Sequence, residues 1–167
     1  QIRSFELSEF RGKWTVLVFY PGDFTFICPT ELQELGELYS EFQKVGSEIL
    51  SVSTDLAFVH KAWHDTSAAI KNIQFPMVAD PTGRLSREFG TYLEDEGVSL
   101  RGSFLVDPDG VLKVQEIHDN SIGRNGRELL RKLQWDIGVE TSSLGGIRTG
   151  TRRSREPILL ALTGRRS

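Results

Sequence analysis

The 167-residue chain holds a single cysteine, a single methionine and three histidines. One thiol excludes an internal disulfide, so a secreted fold stapled by cross-links is not in view. No apolar run approaches the roughly 20 residues that a membrane-crossing helix requires, and no membrane partner is expected. No basic start followed by an apolar stretch opens the chain, so no secretion signal is read. The first residue is Gln1 rather than Met, which suggests a fragment or a trimmed product. The glycine patterns of nucleotide-binding loops are missing, and no cofactor is expected. A basic surplus is missing too: net charge is −3, and residues 1–134 carry 14 basic against 20 acidic side chains. A nucleic-acid partner is therefore not expected. What remains is a composition of 38% hydrophobic and 26% charged residues, ordinary for one soluble domain with a real core. A cytoplasmic location is the matching expectation.

The lone thiol, Cys28, stands in a telling place. The run Thr15-Val-Leu-Val-Phe-Tyr20 reads as a buried strand, stopped by Pro21 and Gly22. Pro29 suits the first position of a helix. Leu32, Leu35, Leu38, Tyr39 and Phe42 then recur at helical spacing. Cys28 is thus placed at a helix N-terminus, at the carboxyl end of a central strand. Unpaired backbone N–H groups and the positive end of the helix dipole favour a thiolate there. A single cysteine is most often a small buried hydrophobe; this position argues for the reactive role.

Further along, Glu48–Thr54 and Phe75–Ala79 read as strands. Asp55 reads as the N-cap of a helix over residues 56–71, with Ala57, Val59, Trp63 and Ile70 inward. Leu85–Phe89 reads as a short helix. Ser103–Val106 and Val111–Ile117 form a hairpin about the turn Asp107-Pro-Asp-Gly110, and Arg124–Gln134 is a last amphipathic helix. Glu94-Asp-Glu96 reads as a solvated loop. Alternating strands and helices predict an α/β, thioredoxin-like fold, a central mixed sheet flanked by helices. Residues 1–134 form that domain. From Trp135 the text changes: residues 135–167 carry six arginines and no lysine, against eight and six before them. That segment is expected to be a disordered tail.

Residues around Cys28 carry a resemblance. The spacing Pro21-x-x-x-Thr25-x-x-Cys28 matches the active-site pattern of the peroxiredoxins, and Phe24-Thr-Phe-Ile-Cys-Pro-Thr-Glu31 resembles their typical two-cysteine branch, the alkyl hydroperoxide reductase type in particular. The likeness extends over most of the chain, from Trp14 to Gln134. It implies a thiol peroxidase that reduces hydrogen peroxide and alkyl hydroperoxides through a sulfenic acid on Cys28. Holding a thiol ionised takes about 1.4 kcal/mol per pKa unit, and a helix terminus supplies about 0.3–1 kcal/mol. A cation must provide the rest. The resemblance of Leu100-Arg-Gly-Ser-Phe-Leu-Val-Asp-Pro-Asp-Gly110 to the family's arginine-bearing region assigns Arg101 to that task. By the same likeness, Thr25 bonds the thiolate and orients the peroxide, and Pro21 shields the sulfur from water. Glu31 orders an arginine or the backbone, and Arg124 is a supporting cation.

Two departures stand out. The N-terminal segment is shorter than the family's, and the resolving cysteine of a Val-Cys-Pro motif is absent. The family further implies a flavoprotein disulfide reductase or a small-thiol reductant, a homodimer, and a possible decamer. Without the resolving thiol, turnover with the dedicated reductase is expected to be poor, and over-oxidation easier. The alternative is a binding or holdase protein of the same fold. A Cys-x-x-Cys exchange site is excluded, because Cys28-Pro-Thr-Glu31 lacks the second thiol. His60 and His64 share a helix face at metal-ligand spacing. Yet the Glu of a His-Glu-x-x-His motif is missing and only two ligands are present, so no metal is expected.

Overall fold

A computed structural model describes residues 1–4 and 6–138. The chain opens with a 3-10 turn at Leu7–Phe10, then runs β1 (Trp14–Phe19), α1 (Cys28–Lys44), β2 (Ser47–Ser53), α2 (Ala57–Thr66), β3 (Met77–Ala79) and α3 (Arg84–Glu88). It continues with β4 (Tyr92–Leu93), β5 (Val98–Ser99), β6 (Arg101–Val106), β7 (Leu112–His118) and α4 (Gly126–Ile137). Strands β3, β2, β1, β6 and β7 form one sheet in that order. Its first half is parallel, and β6 and β7 join antiparallel. This is the mixed, helix-flanked sheet of the thioredoxin-like class.

The unbroken apolar run of β1 follows from its central place. Val16 and Val18 face Leu32, Leu35 and Phe42 of α1 and Leu129 and Leu133 of α4. Leu17 and Phe19 face the other way, onto Phe89 and Phe104. All four β1 side chains are at most 1% exposed. Each such burial is worth about 1.5–3 kcal/mol, so no polar residue alternates along residues 16–19.

Several boundaries differ from the sequence pattern. Asp55 does not cap α2: the helix begins at Ala57 behind Leu56, with no side-chain cap bond. The Asp55 carboxylate is drawn away by Ser53 Oγ at 2.7 Å and the Asp23 N–H at 2.8 Å. The helix stops at Thr66, so Ile70 is buried outside it. Arg124 precedes α4 rather than starting it, because Asn125 is the N-cap and accepts from the Glu128 N–H at 3.0 Å. At its other end α4 continues to Ile137 and closes on Gly138, whose φ of +79° is left-handed. The acidic stretch Glu94–Glu96 is the exposed turn of the small β4–β5 hairpin, which the pattern did not reveal. The tail expectation from residue 139 onward lies outside the described residues.

Candidate active site

The topology delivers Cys28 and Arg101 to one spot. Antiparallel pairing sets Val18 of β1 opposite Ser103 of β6. The carboxyl end of β1 therefore lies beside the start of β6, where Arg101 stands. From β1 the chain passes through residues 20–27 and enters α1 at Cys28, with Pro29 in the first turn. Cys28 is fully buried, and its Sγ accepts from Arg101 Nη1 at 3.3 Å.

Arg101 is itself held. It is 2% exposed, its Nε donates to the Asn120 carbonyl at 2.9 Å, and Nη1 also donates to Glu31 Oε2 at 2.5 Å. Glu31 lies one turn into α1, on the same face as Cys28. Its other oxygen accepts from the Arg124 backbone N–H at 2.6 Å and from Arg124 Nε at 3.2 Å. Arg124 Nη1 donates to the carbonyls of Phe19 and Gly102, both at 2.7 Å, bridging the ends of β1 and β6. Burial pushes the Arg124 guanidinium below its usual range, against the pull of Glu31. Two guanidiniums against one carboxylate leave a surplus positive charge at the sulfur. That surplus suits an anionic thiolate.

The remaining sequence candidates sit differently. Thr25 is exposed, and its Oγ1 donates to the Gly22 carbonyl at 3.1 Å, with no hydrogen bond to the Cys28 sulfur among the described residues. Pro21 is half-buried at the head of the loop. Cys28, Glu31, Arg101 and Arg124 are thus brought together, while Thr25 and Pro21 stand in the loop that precedes Cys28.

A second cluster beneath this loop escaped the sequence reading. Asp23 accepts from Tyr20 O–H on Oδ1 and faces His60 Nδ1 with Oδ2, each at 2.7 Å. His60 Nε2 meets the Val78 carbonyl at 3.1 Å. Burial, reinforced by the Asp23 charge and hydrogen bond, pushes the Tyr20 hydroxyl far up. His64 is separate, with Nε2 on the Ile73 carbonyl at 3.1 Å, so the two histidines share no ligand position. Asp23, Asp55 and His60 bring ligand-type atoms within 4.8 Å of one another, and each residue already bonds a protein partner there. The buried aspartate could have been suspected from Asp23 alone, since an acidic residue inside an aromatic loop needs partners.

Fold and site together define a thioredoxin-like domain carrying one buried thiol clamped by a fixed arginine. The sequence profile described as "AhpC/TSA family" matches residues 1–115. Alkyl hydroperoxide reductase C of Pseudomonas aeruginosa (strain UCBPP-PA14) is 49% identical over 124 residues, 74% of this chain and 66% of that protein. The protein of the same name from Amphibacillus xylanus is 46% identical over 132 residues, 78% of this chain and 70% of its own. The crystal structure of Enterococcus faecalis AhpC superposes with a TM-score of 0.77 at 47% identity, covering 79% of each chain. This chain belongs to the AhpC/TSA family of peroxiredoxins. It spans about two thirds of the length of the first of these relatives.

Proposed function

We propose that the chain is a thiol-dependent peroxidase that reduces hydrogen peroxide and alkyl hydroperoxides through Cys28. The observation that carries this reading is the Arg101 guanidinium, 3.3 Å from a buried sulfur and pinned by Glu31. Attack by the Cys28 thiolate on the terminal peroxide oxygen forms an S–O bond and breaks the O–O bond. The sulfur loses two electrons and becomes sulfenic acid. The departing alkoxide or hydroxide takes a proton from water to give an alcohol or water. Arg101 stabilises both the thiolate and the charge growing on the leaving oxygen. Thr25 Oγ1 donates to Gly22, which leaves its lone pairs to accept from a peroxide O–H. Pro21 limits water at the sulfur. Glu31 and Arg124 act by fixing Arg101. Phe26 and Ile27, exposed just before Cys28, offer apolar surface to an alkyl substituent.

Recycling needs a reductant from outside the chain, because Cys28 is its one cysteine. A thiol condenses with the sulfenic acid to a mixed disulfide and water, and a second thiol releases Cys28. A small thiol suits this better than a flavoprotein disulfide reductase. Dependence on such a reductant fits a reducing compartment, hence the cytoplasm. A homodimer, and beyond it a decamer, belongs to the same reading, with residues 1–134 as the domain that carries the chemistry. The binding-module alternative gives no reason for a charged clamp buried around the sulfur, since burying such charges is costly.

Stopped-flow reaction with hydrogen peroxide, followed by intact mass, tests the proposal. A fast second-order reaction that adds one oxygen to Cys28 supports it. A rate no greater than that of a free thiol at the same pH, or an unchanged mass, overturns it.

A further inference from the structure

The loop that presents Cys28 is strained and held from below. Phe24 has a φ of +55°, and it is the sole non-glycine residue among those described with a positive φ. A bulky residue held there is strained and persists only when its surroundings fix it. Helix α2 grips the loop at two neighbouring points. Trp63 packs its ring on Phe24, centroids 5.9 Å apart. His60, one turn earlier on the same face, holds Asp23, the residue before Phe24. His60 is 4% exposed, and the Asp23 side chain is fully buried.

The partners of His60 fix a proton count. Nε2 meets the Val78 carbonyl, which can only accept, so Nε2 carries a hydrogen. Nδ1 meets a carboxylate oxygen at 2.7 Å. A neutral imidazole beside an ionised carboxylate can satisfy one of these contacts, and the other then sets lone pair against lone pair. Both are satisfied when the ring carries one further proton, as imidazolium against carboxylate. The groups facing His60 are Asp23 of the loop, Asp55 after β2, Tyr20 after β1, and the Val78 carbonyl of β3. Tyr20 already donates to Asp23 Oδ1, and Asp55 already accepts from the Asp23 N–H. Among the described residues no other contact supplies the missing proton.

We propose that His60 is a positioning residue for the reaction of Cys28: its doubly donating ring locks Asp23, and through Asp23 the strained loop that places the sulfur against Arg101. The inference rests on the peroxidase reading. It gives that reading an alkaline limit. Rising pH favours the thiolate, yet removal of the proton shared by His60 and Asp23 releases the loop, so the rate constant falls again at high pH. Burial opposes the charge on His60, and Asp23 outweighs it, so the proton is held above the usual histidine range.

The test combines the peroxide rate across pH with nitrogen-15 NMR of the imidazoles in the full chain, which has three histidines to distinguish. Wild type should show a falling alkaline limb, and His60 should have both ring nitrogens protonated at neutral pH. His60→Ala should lower the rate about tenfold below the alkaline limb, the scale of one charge-assisted hydrogen bond, and the gap to wild type should close above it. His60→Asn puts an untitratable amide donor near the Nδ1 position. It should keep the neutral-pH rate within about threefold, a few tenths to one hydrogen bond's worth, and abolish the limb. A limb unchanged in His60→Asn, or a His60 that is neutral beside an ionised Asp23, overturns the inference. A slow wild-type reaction at all pH values instead sinks the peroxidase reading, while the NMR titration still decides the proton count.

Discussion

Replacing Glu31 with glutamine removes the one carboxylate that neutralises two buried guanidiniums. Glu31 is 6% exposed and accepts from Arg101 Nη1, the Arg124 N–H, Arg124 Nε and Arg124 Nη2, the last at 3.2 Å. Glutamine preserves the volume and one carbonyl oxygen. Its amide N–H₂ would face donors, and the charge would be gone. Removing one partner of a buried ion pair costs about 3–5 kcal/mol, because the remaining charge stays desolvated. For a chain of this size each kcal/mol moves the melting midpoint about 2–4 °C, so Glu31→Gln should melt about 6–20 °C below wild type. Differential scanning calorimetry reads the shift, and urea titration at constant m-value confirms that it is a loss of stability. The peroxide rate should also fall, because Arg101 loses its anchor beside the sulfur. A drop of less than about 2 °C, below 1 kcal/mol on the same scale, would refute the reasoning. It would mean that solvent or a shifted arginine compensates the pair.

Other outcomes follow from the same structure. Asn125→Ala removes the cap on Glu128 N–H and should cost about 1 kcal/mol in urea denaturation, while Asn125→Ser should retain most of it. Gly102→Ala should destabilise by about 1–3 kcal/mol, since its Cβ would lie 2.6 Å from Thr91 Cγ2 and 2.7 Å from Phe104 Cε2; a neutral result would show that β6 can shift. Burial pushes His60 down, but Asp23 and the Val78 carbonyl outweigh it and raise it in the folded chain. Its contribution to stability is therefore complete below about pH 6.5, the unfolded value, and is lost as pH rises through the higher folded value. The urea-midpoint gap between wild type and His60→Phe should narrow toward alkaline pH, and a widening gap would contradict that sign.

Much of the site was legible because two local signals coincided at Cys28. The apolar run of β1 and the helical spacing of α1 bracket it, and neither depends on distant contacts. Arg101 is different. Nothing in its neighbourhood distinguishes a buried guanidinium from a solvated one, and only the family resemblance of residues 100–110 pointed to it. The structure then supplies the reason, an antiparallel strand that brings β6 to the end of β1. Glu31 is assigned to ordering an arginine or the backbone. The lattice of four bonds it makes could not be read from spacing. Asp55 and Arg124 failed as helix-boundary residues because tertiary partners competed for them, Asp23 and Ser53 in one case and Glu31 with two strand carbonyls in the other. His60 read only as half of a metal-ligand spacing with too few ligands, because spacing along a helix does not report what a buried ring must bond.

The sulfur and its guanidinium lie 73 residues apart along the chain. Between them come β2, α2, β3, α3 and the small hairpin, and β6 must dock on β1 before the two can meet. Contacts of such long range form late, after much loop-closure entropy has been spent. A growing chain therefore carries a commonplace thiol until the sheet closes. The proposed chemistry switches on with the docking of β6, so a partly folded or truncated chain that lacks β6 has a cysteine but no reaction centre.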